Sequence, residues 1–196
     1  MNVEDNINIL GNFCGLRDVD RLSTDTLQRK YGFAQADVMV LFGGSIIEGG
    51  DVLAKAKQDG VAKNYIIVGG AGHTTETLRQ RVRSEYPDIE TAGLPEAEVF
   101  QRYLAYVYGL QADYLETQST NCGNNITYLL DLLCGKNIPC KSIILTQDAT
   151  MQRRMDSGLR KYAPEDLVII NYAAYSVKTV LHSGELEFDR QPHGMW

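Results

Sequence analysis

The chain lacks each short signature that would name an activity outright. It contains no Gly-Lys-Ser/Thr, and so no phosphate-binding P-loop. Cys14, Cys122, Cys134 and Cys140 form no Cys-x-x-Cys pair. That spacing argues against a structural zinc site and leaves reduced thiols in a cytoplasm as the expectation. Basic residues are in the minority, 19 Lys plus Arg against 25 Asp plus Glu, for a formal net charge of −6. A nucleic-acid binder carries the opposite balance. The start of the chain, Met1 to Asn6, has no basic stretch ahead of an apolar run, and no apolar segment reaches bilayer length. Neither a secretory signal nor a membrane partner is expected. Repeats, low-complexity tracts and linkers are also missing.

What remains is a chain of 196 residues, 44% hydrophobic and 22% charged, long enough for one α/β domain with a sizeable core. Val3, Ile7, Leu10 and Phe13 recur at helical spacing. A second, polar helix is expected from Asp18 to Tyr31, so residues 1–33 read as a helical cover. Continuous apolar runs follow at 37–42, 65–68, 141–145 and 167–170, as strands buried on both faces should read. A shorter, half-polar strand is expected around 112–115. Helical patterns fall between them at about 52–60, 75–86, 95–107, 122–133 and 151–161. Strands alternating with helices imply right-handed crossovers and a mostly parallel five-stranded sheet. The expectation is a three-layer Rossmann-like α/β domain, with its core over 34–175 and a weakly patterned C-terminal segment over 176–196.

Ligands of such sheets bind outside the carboxyl ends of the strands. Here the first four strands end in glycines or small polar residues. Gly43-Gly44-Ser45 and Gly69-Gly70-Ala71-Gly72 sit at strand-to-helix turns, where a ligand can approach the backbone and a helix N-terminus favours an anion. Two such loops on one edge favour a ligand over two plain tight turns. The second loop lacks the third glycine of the dinucleotide fingerprint, and no acid ends the second strand to hold a ribose. Ser45 lacks the closing glycine of a nucleophile elbow and reads as a hydroxyl donor or helix cap. His73 is weighed equally as a ligand or acid–base residue and as a surface histidine.

The most polar stretch is Glu116-Thr-Gln-Ser-Thr-Asn-Cys-Gly-Asn-Asn125. It holds far more donors and acceptors than a turn needs. Glu116 stands between a ligand-binding and a structural carboxylate. Asn121 is placed to cap the following helix. Cys122 is set down as a small residue beside a ligand, since no base partner is visible for a catalytic thiol. Glu96 and Glu98 follow Pro95 in a first helical turn, where acids are stabilising by roughly 0.3–1 kcal/mol. Arg153 and Arg154 stand at the start of the helix after Asp148, where positive charge opposes the helix dipole. An anionic ligand group would account for them; pairing with Asp148 or Glu116 is the competing explanation.

Gln118-Ser-Thr-Asn-Cys-Gly123 with Asn125, and Gln147-Asp148 with Thr150-Met-Gln-Arg-Arg154, resemble the bacterial YdcF-like proteins, part of a broader family of Rossmann-like domains. Ile7-Asn-Ile-Leu-Gly11, Gly69-Gly70 with Gly72-His73, and Glu96-Ala97 extend the likeness over most of the chain. The resemblance implies a cytoplasmic nucleotide-type site with S-adenosylmethionine as the suggested cofactor and no established reaction. Together with the strand-end reading of Gly43, Gly44 and Ser45, it gives an expected set of ligand-binding residues: those three, Gly69, Gly70, Gly72, His73, Glu96, Ser119, Thr120, Asn121, Asn125, Gln147, Asp148, Arg153 and Arg154. The chain departs from the pattern at Asn124, where the family has Glu, and at Met151, near which the broader family often has His. Relatives continue past Gly194-Met195-Trp196, which implies a short form lacking part of the site. Three functions follow as expectations. The first is binding, with or without chemistry, of an adenosine-containing ligand. The second is a hydrolase or transferase of phosphorylated or nucleotide substrates using Glu116, Asp148 or His73. The third is a non-catalytic protein-interaction module.

Overall fold

The structure, a computed structural model, describes residues 2–175 and 177–189. Five strands form one all-parallel sheet: β1 (Ala36–Phe42), β2 (Ala62–Val68), β3 (Tyr114–Glu116), β4 (Ser142–Thr146) and β5 (Val168–Asn171). Their order is β3-β2-β1-β4-β5. The chain therefore winds outward from β1 in both directions, and the order reverses between β1 and β4.

Both faces are covered, which is why β1 and β4 are apolar without alternation. On one face Met39, Leu41, Tyr65, Ile67 and Ile144 pack against α2 (Thr24–Tyr31), α3 (Glu48–Gln58), α4 (Thr75–Glu85) and α5 (Glu96–Tyr108). On the other, Val38, Val40, Phe42, Ile66, Val68 and Leu145 meet α6 (Cys122–Gly135) and α7 (Gln152–Tyr162). Each fully buried Leu, Ile or Phe in these layers contributes roughly 1.5–3 kcal/mol. The three-layer Rossmann-like architecture expected from the sequence is the one present.

The helix ends follow local chemistry. Ser23 Oγ accepts from the Thr26 N–H at 3.2 Å and Gly32 closes α2 at φ +81°. That start shortens the helix expected from Asp18, because Asp18 is spent elsewhere: its carboxylate accepts from the Asn171 N–H at the end of β5. Asn121 caps α6 as expected, its Oδ1 accepting from Asn124 N at 3.0 Å. Within α5, Val107 is exposed, while Tyr103 is buried and donates to Asp51.

Two elements stand outside the three layers. α1 (Val3–Cys14) buries no residue and lies over the carboxyl ends of the strands rather than over the core. The expected C-terminal segment holds a hairpin, β6 (Thr179–His182) and β7 (Glu185–Phe188), turning through Ser183 at φ +54° and Gly184 at φ +88°. Asn8 on α1 holds the hairpin by both amide atoms: Oδ1 accepts from Thr179 N at 2.7 Å and Nδ2 donates to Thr179 O at 2.8 Å. Ser176 and 190–196, the remainder of that segment, lie outside the described residues.

Candidate functional site

The loops after β1, β2, β3 and β4 meet α1 and the hairpin around one cavity of about 780 Å³. It opens at the carboxyl ends of the strands and spans the β1/β4 reversal, the position where open α/β sheets hold ligands. Gly43, Gly44, Ser45, Gly70, Gly72, His73, Glu96, Ser119, Thr120, Asn121, Asn125, Gln147 and Asp148 all line it. Cys122 does so as well.

The glycines divide by what a side chain would meet there. A Cβ on Gly43 would stand 2.4 Å from Glu96 Oε2 and 2.9 Å from Glu96 Cβ; one on Gly69 would stand 3.0 Å from Glu96 Cβ. A Cβ on Gly70 would strike the Ser119 carbonyl oxygen at 2.1 Å. These three positions are glycine because the protein itself fills the space. Gly69 does not line the cavity. Gly44 and Gly72 differ: their nearest neighbours would be Gln147 Oε1 at 3.5 Å and Thr120 O at 3.4 Å. There the open side belongs to the cavity.

Gly44 begins the turn into α3. The N–H groups of Gly44, Ser45 and Ile46 find no acceptor among the described residues, and all three residues line the cavity. Successive unpaired N–H groups at a helix entrance attract an anionic or carbonyl oxygen. Behind the turn, Arg81 Nη1 donates to Ser45 O at 2.9 Å, fixing the loop and adding positive charge on its far side.

Glu96 is the most constrained side chain of the site, with 7% of its surface exposed. Its Oε1 accepts from the hydroxyls of Thr74 and Thr75, both at 2.9 Å. Its Oε2, wedged against Gly43, has no hydrogen-bond partner. Burial pushes this carboxyl above its ordinary range, against the opposing pull of the two threonine hydroxyls and of Arg79. A role limited to stabilising the helix dipole would leave the group in solvent, so the sequence expectation for Glu96 underestimates it. Its own N–H donates to Gly70 O at 2.9 Å and that of Ala97 to Gly69 O at 2.8 Å. The entrance to α5 is thereby occupied by protein and offers nothing to an anion.

Asp148 is built the same way. Oδ1 accepts from the Thr150 N–H at 2.9 Å and from its hydroxyl at 2.5 Å. Oδ2 has no partner and would lie 3.9 Å from a Cβ on Gly44. Two carboxylates thus flank the Gly43-Gly44 turn, each with one oxygen anchored and one free. Between them Gln147 braces the reversal point, Nε2 donating to Gly43 O at 2.8 Å. In the central loop Asn121 and Thr120 bond to Asn124, while the Asn125 amide remains free.

Besides Gly69, three expected site residues are placed elsewhere. Glu116 does not line the cavity. It is 6% exposed and its Oε1 accepts from the N–H groups of Gln118 at 2.5 Å and Ser119 at 3.0 Å, so it shapes the central loop from beneath. Arg153 and Arg154 are also absent from the cavity wall. Arg153 Nε donates to the Phe13 carbonyl and its guanidinium lies 4.0 Å over the Phe13 ring. The cation at the start of α7 is explained by the negative end of α1, a partner that neither an anionic ligand nor Asp148 supplies. Arg154 is exposed without a bonded partner.

A roof over the cavity was not among the expectations. Ile7, Asn8, Leu10, Gly11 and Cys14 from α1, and Val177, Thr179 and Phe188 from the hairpin segment, complete the cavity. The likeness over Ile7-Asn-Ile-Leu-Gly11 was the available signal. Among the described residues no helix is long and apolar enough to cross a membrane, and no group of three His, Cys, Asp or Glu is placed to hold a metal ion. No protein-family model matches the chain.

Proposed function

We infer that the cavity at the β1/β4 reversal binds an adenosine-containing or nucleotide-type small molecule, of the S-adenosylmethionine kind. One observation carries this. The unpaired N–H groups of Gly44, Ser45 and Ile46 stand between two carboxylates, Glu96 and Asp148, each with a free oxygen, and no Lys or Arg lines the described wall. Free carboxylate oxygens accept from ribose hydroxyls or an ammonium. The N–H turn accommodates one compact anionic or carbonyl group. A zwitterion with a single carboxylate matches that set better than a di- or triphosphate, whose charge calls for basic side chains. Asn125 has a free amide for the base or the amino-acid head.

The likeness to YdcF-like proteins points to the same ligand, and the four free cysteines suit a cytoplasmic setting. The second reading, a transferase or hydrolase, draws on the anchored-and-free pattern of Glu96 and Asp148, which suits proton transfer. Glu116, held under the loop, is not part of it.

A thermal-shift panel tests the first reading. Adenosine, S-adenosylmethionine, S-adenosylhomocysteine, AMP and ATP are compared with and without magnesium. S-adenosylmethionine or S-adenosylhomocysteine should stabilise the protein by roughly 2.7 kcal/mol at a hundredfold excess over Kd, and by more than ATP does at the same concentration. Glu96→Gln and Asp148→Asn should reduce the shift. No stabilisation by any adenosine compound would overturn the reading.

A further inference from the structure

The roof exposes more apolar surface than a finished surface needs. Along α1, Val3, Ile7, Leu10 and Phe13 share one face, and each is at least 40% exposed. In the hairpin, the register pairs Leu181 with Leu186 and Thr179 with Phe188, placing these four on one face, opposite Val180, His182, Glu185 and Glu187. A second cavity of about 510 Å³ runs along this face, bounded by Ile7, Thr179, Leu186, Glu187 and Phe188. Ile7, Thr179 and Phe188 also bound the main cavity, so the two spaces adjoin across these residues. The polar groups, Gly44, Glu96, Asn125 and Asp148, stand at one end of these adjoining spaces. The apolar groups stand at the other.

We propose that the adjoining spaces together take an amphiphilic ligand: its polar head occupies the cavity floor and its single apolar chain runs out between α1 and the hairpin. The proposal rests on the reading of the cavity as a ligand site and adds the class of substituent the ligand carries. Shape and adjacency favour a chain. The slot is concave and shares three wall residues with the cavity that holds the polar floor, whereas a flat macromolecular surface would cover the exposed residues without filling the concavity. Asn8 fixes the spacing of the two walls through its paired bonds to Thr179. Leu186 and Phe188 supply one wall and Ile7 the other.

Two probe series on the intact chain test this by titration calorimetry. One is 5′-alkylthioadenosines from methyl to octyl. The other is n-alkyl carboxylates from hexanoate to dodecanoate, kept below micelle formation. Burying a methylene is worth about 0.8 kcal/mol, or roughly fourfold in affinity per added carbon until the slot is filled. Leu186→Ser, at an exposed position that bounds the second cavity and not the first, should flatten that dependence while leaving the shortest member of each series unchanged, and Phe188→Ser should flatten it as well. A flat series in the native protein overturns the proposal. So does a dependence that survives both substitutions, because the chain then binds elsewhere. If methylthioadenosine binds and the series is flat, the proposal fails and the adenosine reading stands. If no adenosine compound binds but the carboxylates show the dependence and lose it in Phe188→Ser, the adenosine reading fails and the proposal stands. Binding to anionic phospholipid vesicles with flat monomer series assigns the face to a membrane surface and overturns the proposal. A dimer by light scattering that Phe188→Ser dissociates assigns it to a second copy, with the same consequence.

Discussion

Adjacent glycines in the first loop should respond in opposite ways to one methyl group. Neither Gly43 nor Gly44 has a positive φ, so alanine carries no backbone penalty at either. At Gly43 the methyl arrives 2.4 Å from Glu96 Oε2, 2.9 Å from Glu96 Cβ and 3.3 Å from Gly69 Cα. The carboxyl can retreat only by releasing the Thr74 and Thr75 hydroxyls, and the opposite wall is backbone. Overpacking costs about 1–3 kcal/mol and each lost hydrogen bond about 1 kcal/mol. The restricted unfolded chain returns about 0.4–1 kcal/mol. The net loss for Gly43→Ala is roughly 2–4 kcal/mol, a fall in Tm of roughly 5–15 °C for a chain of this length. At Gly44 the nearest atom is Gln147 Oε1 at 3.5 Å, an ordinary contact. Gly44→Ala should therefore be neutral or stabilised by up to about 1 kcal/mol, yet lose affinity for any ligand seated on the turn. Urea denaturation of the two variants, followed by the thermal-shift panel, measures both. A Gly43→Ala protein as stable as the native one would refute the packing argument. Equal destabilisation by the two substitutions would refute the division between protein-filled and ligand-facing glycines.

Arg153→Ala should weaken the hold on α1 by about 0.5–1 kcal/mol while leaving any ligand-induced thermal shift intact, and Arg154→Ala should change stability by less than about 0.5 kcal/mol. A ligand shift abolished in either variant would return the arginines to the site. Because Glu96 titrates above its ordinary value of 4.5 in the folded state, the folded protein binds the extra proton. Stability is then greatest below pH 4.5 as far as this group is concerned, and is lost as pH rises through the folded-state value. Glu96→Gln should accordingly gain relative to the native protein across that interval. Parallel stability curves from pH 4 to 7 would contradict the burial argument. Asn8→Ala should leave the sheet folded but unprotect the Thr179 amide, read as exchange faster by roughly tenfold or more; unchanged exchange would mean the hairpin is held by something else.

The sheet was legible because its strands are buried on both faces, so 37–42 and 141–145 could hardly be anything else. The strand ends were legible as a site because glycine and small polar residues recur at each. What stayed hidden depended on pairs distant in sequence. Glu96 looks like an ordinary first-turn acid until Gly43 and Gly69 are brought against it. Arg153 looks like an anion-binding residue until the Phe13 carbonyl, 140 residues away, appears beneath it. Glu116 could not be assigned because its partners are backbone N–H groups, which carry no sequence signal. The hairpin at 179–188 is a short, mostly exposed ribbon, too weakly patterned to stand out.

The bond between Asn8 and Thr179 joins residues 171 positions apart, and with it the opposite ends of the described chain. Among the described hydrogen bonds none closes a longer loop, and such a contact carries a large loop-closure entropy unless the intervening chain is already folded. The roof should therefore assemble last, after the parallel sheet has brought its two halves together. Because α1 buries no residue, undoing that step exposes little core, and the sheet can stand without it. For the proposed ligand, entry and exit would then need only the final folding step to run backwards, at a free energy well below that of global unfolding.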